Sequence, residues 1–144
     1  MKWEGMNVDR LEEPYTTTDF GIAFKKGENA QLREQMNAFI AKIKENGEYD
    51  RLQEKWFGDT EPTECADPST LTGENGTLKV GTNNEAKPFG YIKNGRIVGY
   101  DVDFLVAFAK EYGYKLDIEE VAFPSLLAGL QTGIYDLSIA GLSI

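Results

Sequence analysis

The sequence predicts an α/β fold, a mainly parallel sheet flanked by helices, and three observations point that way. Residues 78–140 alternate short apolar runs with segments of helical period in the order strand, helix, strand, helix, strand. Residues 20–43 give another strand followed by another helix. Finally, 41% hydrophobic and 12% aromatic residues in a 144-residue chain are enough for one buried core. Strand-helix alternation favours right-handed crossovers, and these build parallel sheets with helices on their faces.

The elements follow in order. Residues 1–19 cluster few apolar residues around Pro14 and the run Thr16-Thr17-Thr18, and read as an extended lead-in. Phe20-Gly-Ile-Ala-Phe24 alternates large and small apolar residues up to Lys25-Lys26-Gly27, which suits a buried strand. From Asn29, Leu32, Met36, Phe39, Ile40 and Ile43 recur at helical spacing, and Asn46-Gly47 supplies a left-handed stop. Glu48 to Trp56 reads as a second helix with Tyr49, Leu52 and Trp56 on one face. Between Gly58 and Gly76 the chain turns to Pro, Thr, Asp, Glu, Ser and Gly, the composition of a flexible linker spanning roughly 25 Å.

Beyond it, Leu78-Lys-Val-Gly81 is a strand, and Asn94-Gly95 between two apolar triplets is a hairpin signal. Asp101 is placed to cap a helix with the stripe Val102, Leu105, Phe108, Ala109 and Tyr112, ending at Gly113. Leu116-Asp-Ile118 is a strand, Pro124 opens a helix running through Leu126, Leu127 and Leu130 to Gly133, and Leu137-Ser-Ile-Ala140 is the last strand. Ligands of such sheets bind at the carboxyl ends of the strands. Here those ends lead into residues 82–89, 122–125 and 141–144.

Composition excludes several function classes. With 15 Lys+Arg against 24 Asp+Glu the net charge is -9, which opposes nucleic-acid binding and anionic membrane surfaces. There is no His and one Cys, so His-based acid/base catalysis, His/Cys zinc sites and intrachain disulfides are absent. Cys65, in its polar stretch, is expected to be an exposed, incidental thiol. Asp101 and Asp103 resemble a metal pair, but capping and a solvated helix start explain them better, so no metal and no cofactor is expected. No apolar run approaches the ~20 residues of a membrane span, and no secretory signal pattern opens the chain.

The wording of the segments goes beyond periodicity. Phe20-Gly-Ile-Ala-Phe-Lys-Lys-Gly27, Glu45-Asn-Gly-Glu-Tyr49 and Glu54-Lys-Trp-Phe-Gly58 resemble the C-terminal portion of the bacterial extracellular solute-binding proteins for polar amino acids. Leu78-Lys-Val-Gly-Thr82, Lys87-Pro-Phe89, Val98-Gly-Tyr-Asp-Val-Asp-Phe104, Phe123-Pro-Ser-Leu-Leu-Ala-Gly-Leu130 and Tyr135 to Ile144 resemble the N-terminal portion of the same family. The resemblance implies two α/β lobes that close on a ligand, the first built from both ends of the chain. Residues 1–58 are then the C-terminal portion of one module, 59–76 a linker and 77–144 the N-terminal portion of a second. Together they form one lobe of a periplasmic-binding-protein fold in permuted order. Tandem modules, or a deliberate permutation, would produce that order, and the two portions pair within one chain or swap between two to give a homodimer.

The resemblance also places ligand-binding positions at Asn83, Ala86, Phe123, Ala140, Gly141 and Ser143. Phe123 matches an aromatic wall, Gly141 a backbone carbonyl that accepts from the ligand ammonium, and Ser143 an amide and hydroxyl for its carboxylate. Asn83 stands where glutamine-binding members carry an acidic residue, which weakens selection for cations, and Ala86 where many have a second aromatic. Turn chemistry alone also explains Asn83-Asn84, and a core role also explains Phe123. An Arg that grips the ligand carboxylate in the family falls beyond Ile144, so millimolar or no affinity is expected of this chain alone.

The implied function is non-enzymatic: extracellular or periplasmic capture of a small polar, glutamine-like amino acid for the membrane permease of an ABC-type transporter, by lobe closure. A tandem sensor domain of a membrane histidine kinase is the alternative, and an inert lobe another. Related folds host a few lyases, but the sequence offers neither His nor a tight carboxylate pair on apolar ground.

Overall fold

The computed structural model describes residues 19–85 and 87–143, the side chain of Ser143 excepted. Strand β1 (Phe20–Phe24) leads into helices α1 (Ala30–Glu45) and α2 (Glu48–Phe57). After a short 3-10 turn at Pro68–Thr70 come β2 (Thr77–Thr82), the hairpin β3 (Tyr91–Lys93) and β4 (Arg96–Val98), α3 (Tyr100–Tyr112), β5 (Lys115–Glu120), α4 (Phe123–Thr132) and β6 (Leu137–Ser143). The main sheet has the order β1-β6-β2-β5. β2 runs parallel to both β5 and β6, and β1 lies antiparallel to β6 at the edge. The sheet is therefore mainly parallel, with helices on both faces.

Pleating sorts the side chains between the two faces. Leu78, Val80, Leu137 and Ile139 pack with Met36 and Phe39 of α1 and with Phe104, Leu105 and Phe108 of α3. Phe39 sits 5.5 Å edge-on from both Phe104 and Phe108, and burial of each such side chain contributes about 1.5–3 kcal/mol. On the other face Gly81 lies under the Tyr135 ring, where a Cβ would come within 2.8 Å of Cδ2. The same ring covers Gly129, so α4 packs closely on β2 only because both positions lack a side chain.

The hairpin turn forms as its dipeptide requires: Asn94 and Gly95 take φ 52° and 75°. The start of α3 departs from expectation. Gly99, not Asp101, holds the cap position, because the amides of Tyr100 and Asp101 donate to the carbonyls of Pro88 and Phe89, each at 3.0 Å. Asp101 and Asp103 are buried rather than solvated, at 4% and 5% exposed.

Asp103 is held from three sides. Lys55 Nζ donates at 2.5 Å, Trp56 Nε1 at 2.8 Å and the Ala66 amide at 2.7 Å. Residues 59–76 thus carry anchors that their composition does not announce. Leu71 is 5% exposed and packs with Val102, Val106 and Ala109, and Lys87 and Lys93 both pair with Glu61. Cys65 is half-buried instead of exposed, its thiol 3.9 Å from the Gly99 carbonyl, and burial pushes its pKa up to about 11.

Candidate functional site at the strand ends

With β2 between β5 and β6, the carboxyl ends of three parallel strands share one edge. Asn83 follows β2, Phe123 opens α4 three residues after β5 ends, and Gly141 lies near the end of β6. The topology thus gathers residues separated by up to 58 positions in sequence.

Each has a defined environment. Phe123 is 49% exposed at the first position of α4, with Pro124 fixing the helix entry, so its ring stands free at the edge. Gly141 takes φ 62°, and the β1–β6 register shifts between Gly21 and Ala23 on the facing strand. That bulge and the left-handed backbone call for glycine. Ala140 is buried, at 7% exposed. Ser143 pairs with Phe20 across the ladder, while its side chain, and Ala86 entirely, lie outside the described residues.

Asn83 is buried at 8% exposed, and its amide works within the loops. Nδ2 donates to the Val121 carbonyl at 3.2 Å, and Oδ1 accepts from the Glu85 amide at 3.0 Å. Val121 N returns a bond to Thr82 O at 2.9 Å, so the loops after β2 and β5 are stitched together. Asn83 therefore shapes the edge, from which the half-exposed Phe123 projects. The neighbouring Asn84 buries both its amide atoms without a hydrogen-bond partner among the described residues.

Asp101 was missed as more than a cap. Burial pushes its carboxyl up to about 8, despite the helix N-terminus that favours the anion. The signal was available: its neighbours at i+3 and i+4, Phe104 and Leu105, are both core residues, so a helix starting at Tyr100 places Asp101 on the apolar face. For Asp103, burial would also raise the pKa, but Lys55, the Ala66 amide and Trp56 outweigh it and bring it below the usual carboxylate range.

The described residues include no group of three or more Cys, Asp or Glu side chains able to hold a metal ion. No helix among them is long and apolar enough to cross a membrane. The described arginines serve elsewhere: Arg51 pairs with Glu48, Arg96 with Asp67, and Arg33 lies on α1.

The sequence pattern of the bacterial extracellular solute-binding proteins, family 3, matches residues 4–59 and again residues 78–144. The chain belongs to that family. Among curated members, the arginine-binding extracellular protein ArtP of Bacillus subtilis is 36% identical over 66 residues, 46% of this chain and 26% of its own length. The ABC transporter glutamine-binding protein GlnH of the same organism is 39% identical over 54 residues, 38% of this chain and 19% of its own. A family relative named as an enzyme, the cyclohexadienyl dehydratase of Pseudomonas aeruginosa, is 33% identical over 72 residues, 49% of this chain and 27% of its own. The arginine-bound form of domain 1 from TmArgBP is similar at 37% identity and a TM-score of 0.47, over 49% of this chain and 56% of that one. This family member spans about a quarter of the length of the curated relatives it matches.

Proposed function

We propose that residues 20–58 and 78–144 make one lobe of an extracellular amino-acid-binding module, in permuted order, and that the strand-end edge is one wall of its ligand cleft. The observation that carries this reading is the meeting of Asn83, Phe123 and Gly141 at one edge of a sheet whose outer strand comes from the earlier segment. Phe123 supplies an apolar face for the ligand stem, the Gly141 carbonyl an acceptor for its ammonium, and the Ser143 amide a donor for its carboxylate. Asn83 holds the loops that aim them.

The ligand is a small polar amino acid, and the module hands it to the membrane permease of an ABC-type transporter. The names of ArtP and GlnH, an arginine binder and a glutamine binder, support that class. Binding, and not catalysis, suits the edge. The chain has no His, and the positions assigned to the edge, Asn83, Phe123, Gly141 and Ser143, offer no acid/base pair.

With none of the described arginines placed at this edge, one wall gives weak affinity. Calorimetry with glutamine and with arginine is expected to yield dissociation constants in the millimolar range, about -4 kcal/mol. Phe123→Ala should weaken this about tenfold, as loss of a buried apolar contact does. Micromolar binding would refute the one-wall account, and an unchanged constant in the Phe123 variant would remove that ring from the site.

A further inference from the structure

We propose that a groove on the α3 face of the sheet is a second binding site, separate from the strand-end wall, which takes an organic cation: a primary ammonium or guanidinium on an apolar stem, held against the carboxylate of Asp101. The groove runs between β1, α1, α2 and the start of α3 and has a volume of about 750 Å³, within the ~300–1,000 Å³ of small-molecule sites. Of the ligand-binding positions assigned above it touches only Gly141.

Asp101 lines it, is 4% exposed, and leaves Oδ2 without a hydrogen-bond partner among the described residues. A buried carboxyl with an unused oxygen is costly unless something completes it. Around it the groove is lined by rings in mutual contact. Phe89 lies 4.8 Å from Phe20 and 5.2 Å from Phe57, and Phe57 lies 5.4 Å from Tyr100. Tyr100 continues the series to Phe104 at 6.3 Å. Two backbone bonds from the start of α3 to Pro88 and Phe89 fix this array beside the carboxyl.

An acid set among aromatic rings is complementary to an organic cation, which gains a charge-assisted hydrogen bond and cation–π attraction in the same place. The described residues supply no such partner to Oδ2. Lys44 is the one cation among the described groove-lining residues, and its ammonium lies 5.2 Å over the Tyr49 ring. A neutral ligand of the same shape would fill the apolar part of the groove but leave the carboxyl unmatched.

Among the described residues the other ionisable groups facing the groove are Asp19, Lys44, Tyr49 and Tyr100, and burial pushes Tyr100 up to about 12. Asp101, at about 8, must give up its proton to meet a cation. Binding is therefore coupled to proton release.

Calorimetry on the full chain with n-pentylammonium and with agmatine, against n-pentanol, tests the site with probes that lack the carboxylate an amino-acid cleft requires. The cations should bind and the alcohol should not. Near pH 7 about one proton should leave per cation bound, and affinity should rise about tenfold per pH unit from pH 6 to 8 and level off above. Asp101→Asn should lose at least about tenfold in cation affinity with its circular dichroism unchanged, and glutamine binding at the strand ends should persist. Carbon-13 titration of the Asp101 carboxyl in the parent chain should show its pKa falling when pentylammonium is added. Equal binding of pentanol, full retention of cation binding in Asp101→Asn, an unmoved Asp101 titration, or no cation binding at all would overturn the proposal.

Discussion

Asp101 and Asp103, two residues apart on α3, respond to pH in opposite directions. The folded Asp101 carboxyl holds its proton up to about pH 8, whereas an unfolded one releases it near ~3.9. The unfolded chain therefore binds fewer protons across that window, and this group's contribution to stability, full below pH ~4, is lost as pH rises toward 8. Asp101→Asn removes the dependence. In urea unfolding at pH 8.5 the variant should be more stable than the parent, by on the order of 5 kcal/mol, and near parity at pH 4; equal stability at pH 8.5 would contradict the assignment. Asp103 is the reverse case, since its depressed pKa gives stability that is present above the ordinary carboxylate range and lost as pH falls through the folded value. Asp103→Asn removes the buried charge that Lys55, Trp56 and the Ala66 amide hold and leaves the partly exposed Lys55 without its counter-charge; it should cost about 1–3 kcal/mol at pH 7, with the deficit shrinking below pH 4.

At the scale of elements, the regular periods were legible and the polar anchors were not. The stripe Leu32-Met36-Phe39-Ile43 and the dipeptide Asn94-Gly95 announce α1 and the hairpin because each is a local rule with one solution. Pro124 marks the start of α4 for the same reason. The start of α3 was misread because its cap is settled by carbonyls of Pro88 and Phe89, brought there by the fold. Likewise, residues 59–76 look like solvated linker, yet Ala66 and Leu71 are tied to α3 by partners far away in sequence. At the strand-end edge, the loops could be located from the strand order, but Asn83 turning inward to Val121 could not. Leu71→Ala should cost about 2 kcal/mol, as a cavity in a small satellite core does. Limited proteolysis should then cut within residues 59–76 faster than in the parent, and an unchanged cleavage rate would mean that Leu71 does not pin the segment.

For the whole molecule, the order of the chain and the order of the sheet differ. The first strand in sequence, Phe20–Phe24, is the antiparallel edge beside the last, Leu137–Ser143, so the sheet closes only when the two ends of the chain meet. The anchored 59–76 segment favours closure within one chain, and light scattering should report a monomer of 16.1 kDa at micromolar concentrations. A stable dimer would shift the account toward exchange of β1 between copies. In either arrangement the wall proposed at Phe123 and the end of β6 is the same. Amide chemical-shift mapping during titration with glutamine or arginine tests that wall most directly. Saturable shifts at Asn83, Phe123 and Gly141 to Ser143, with a millimolar midpoint, are predicted; shifts confined to the hairpin or α1, or none at about 50 mM ligand, some fifty times a 1 mM constant, would contradict it.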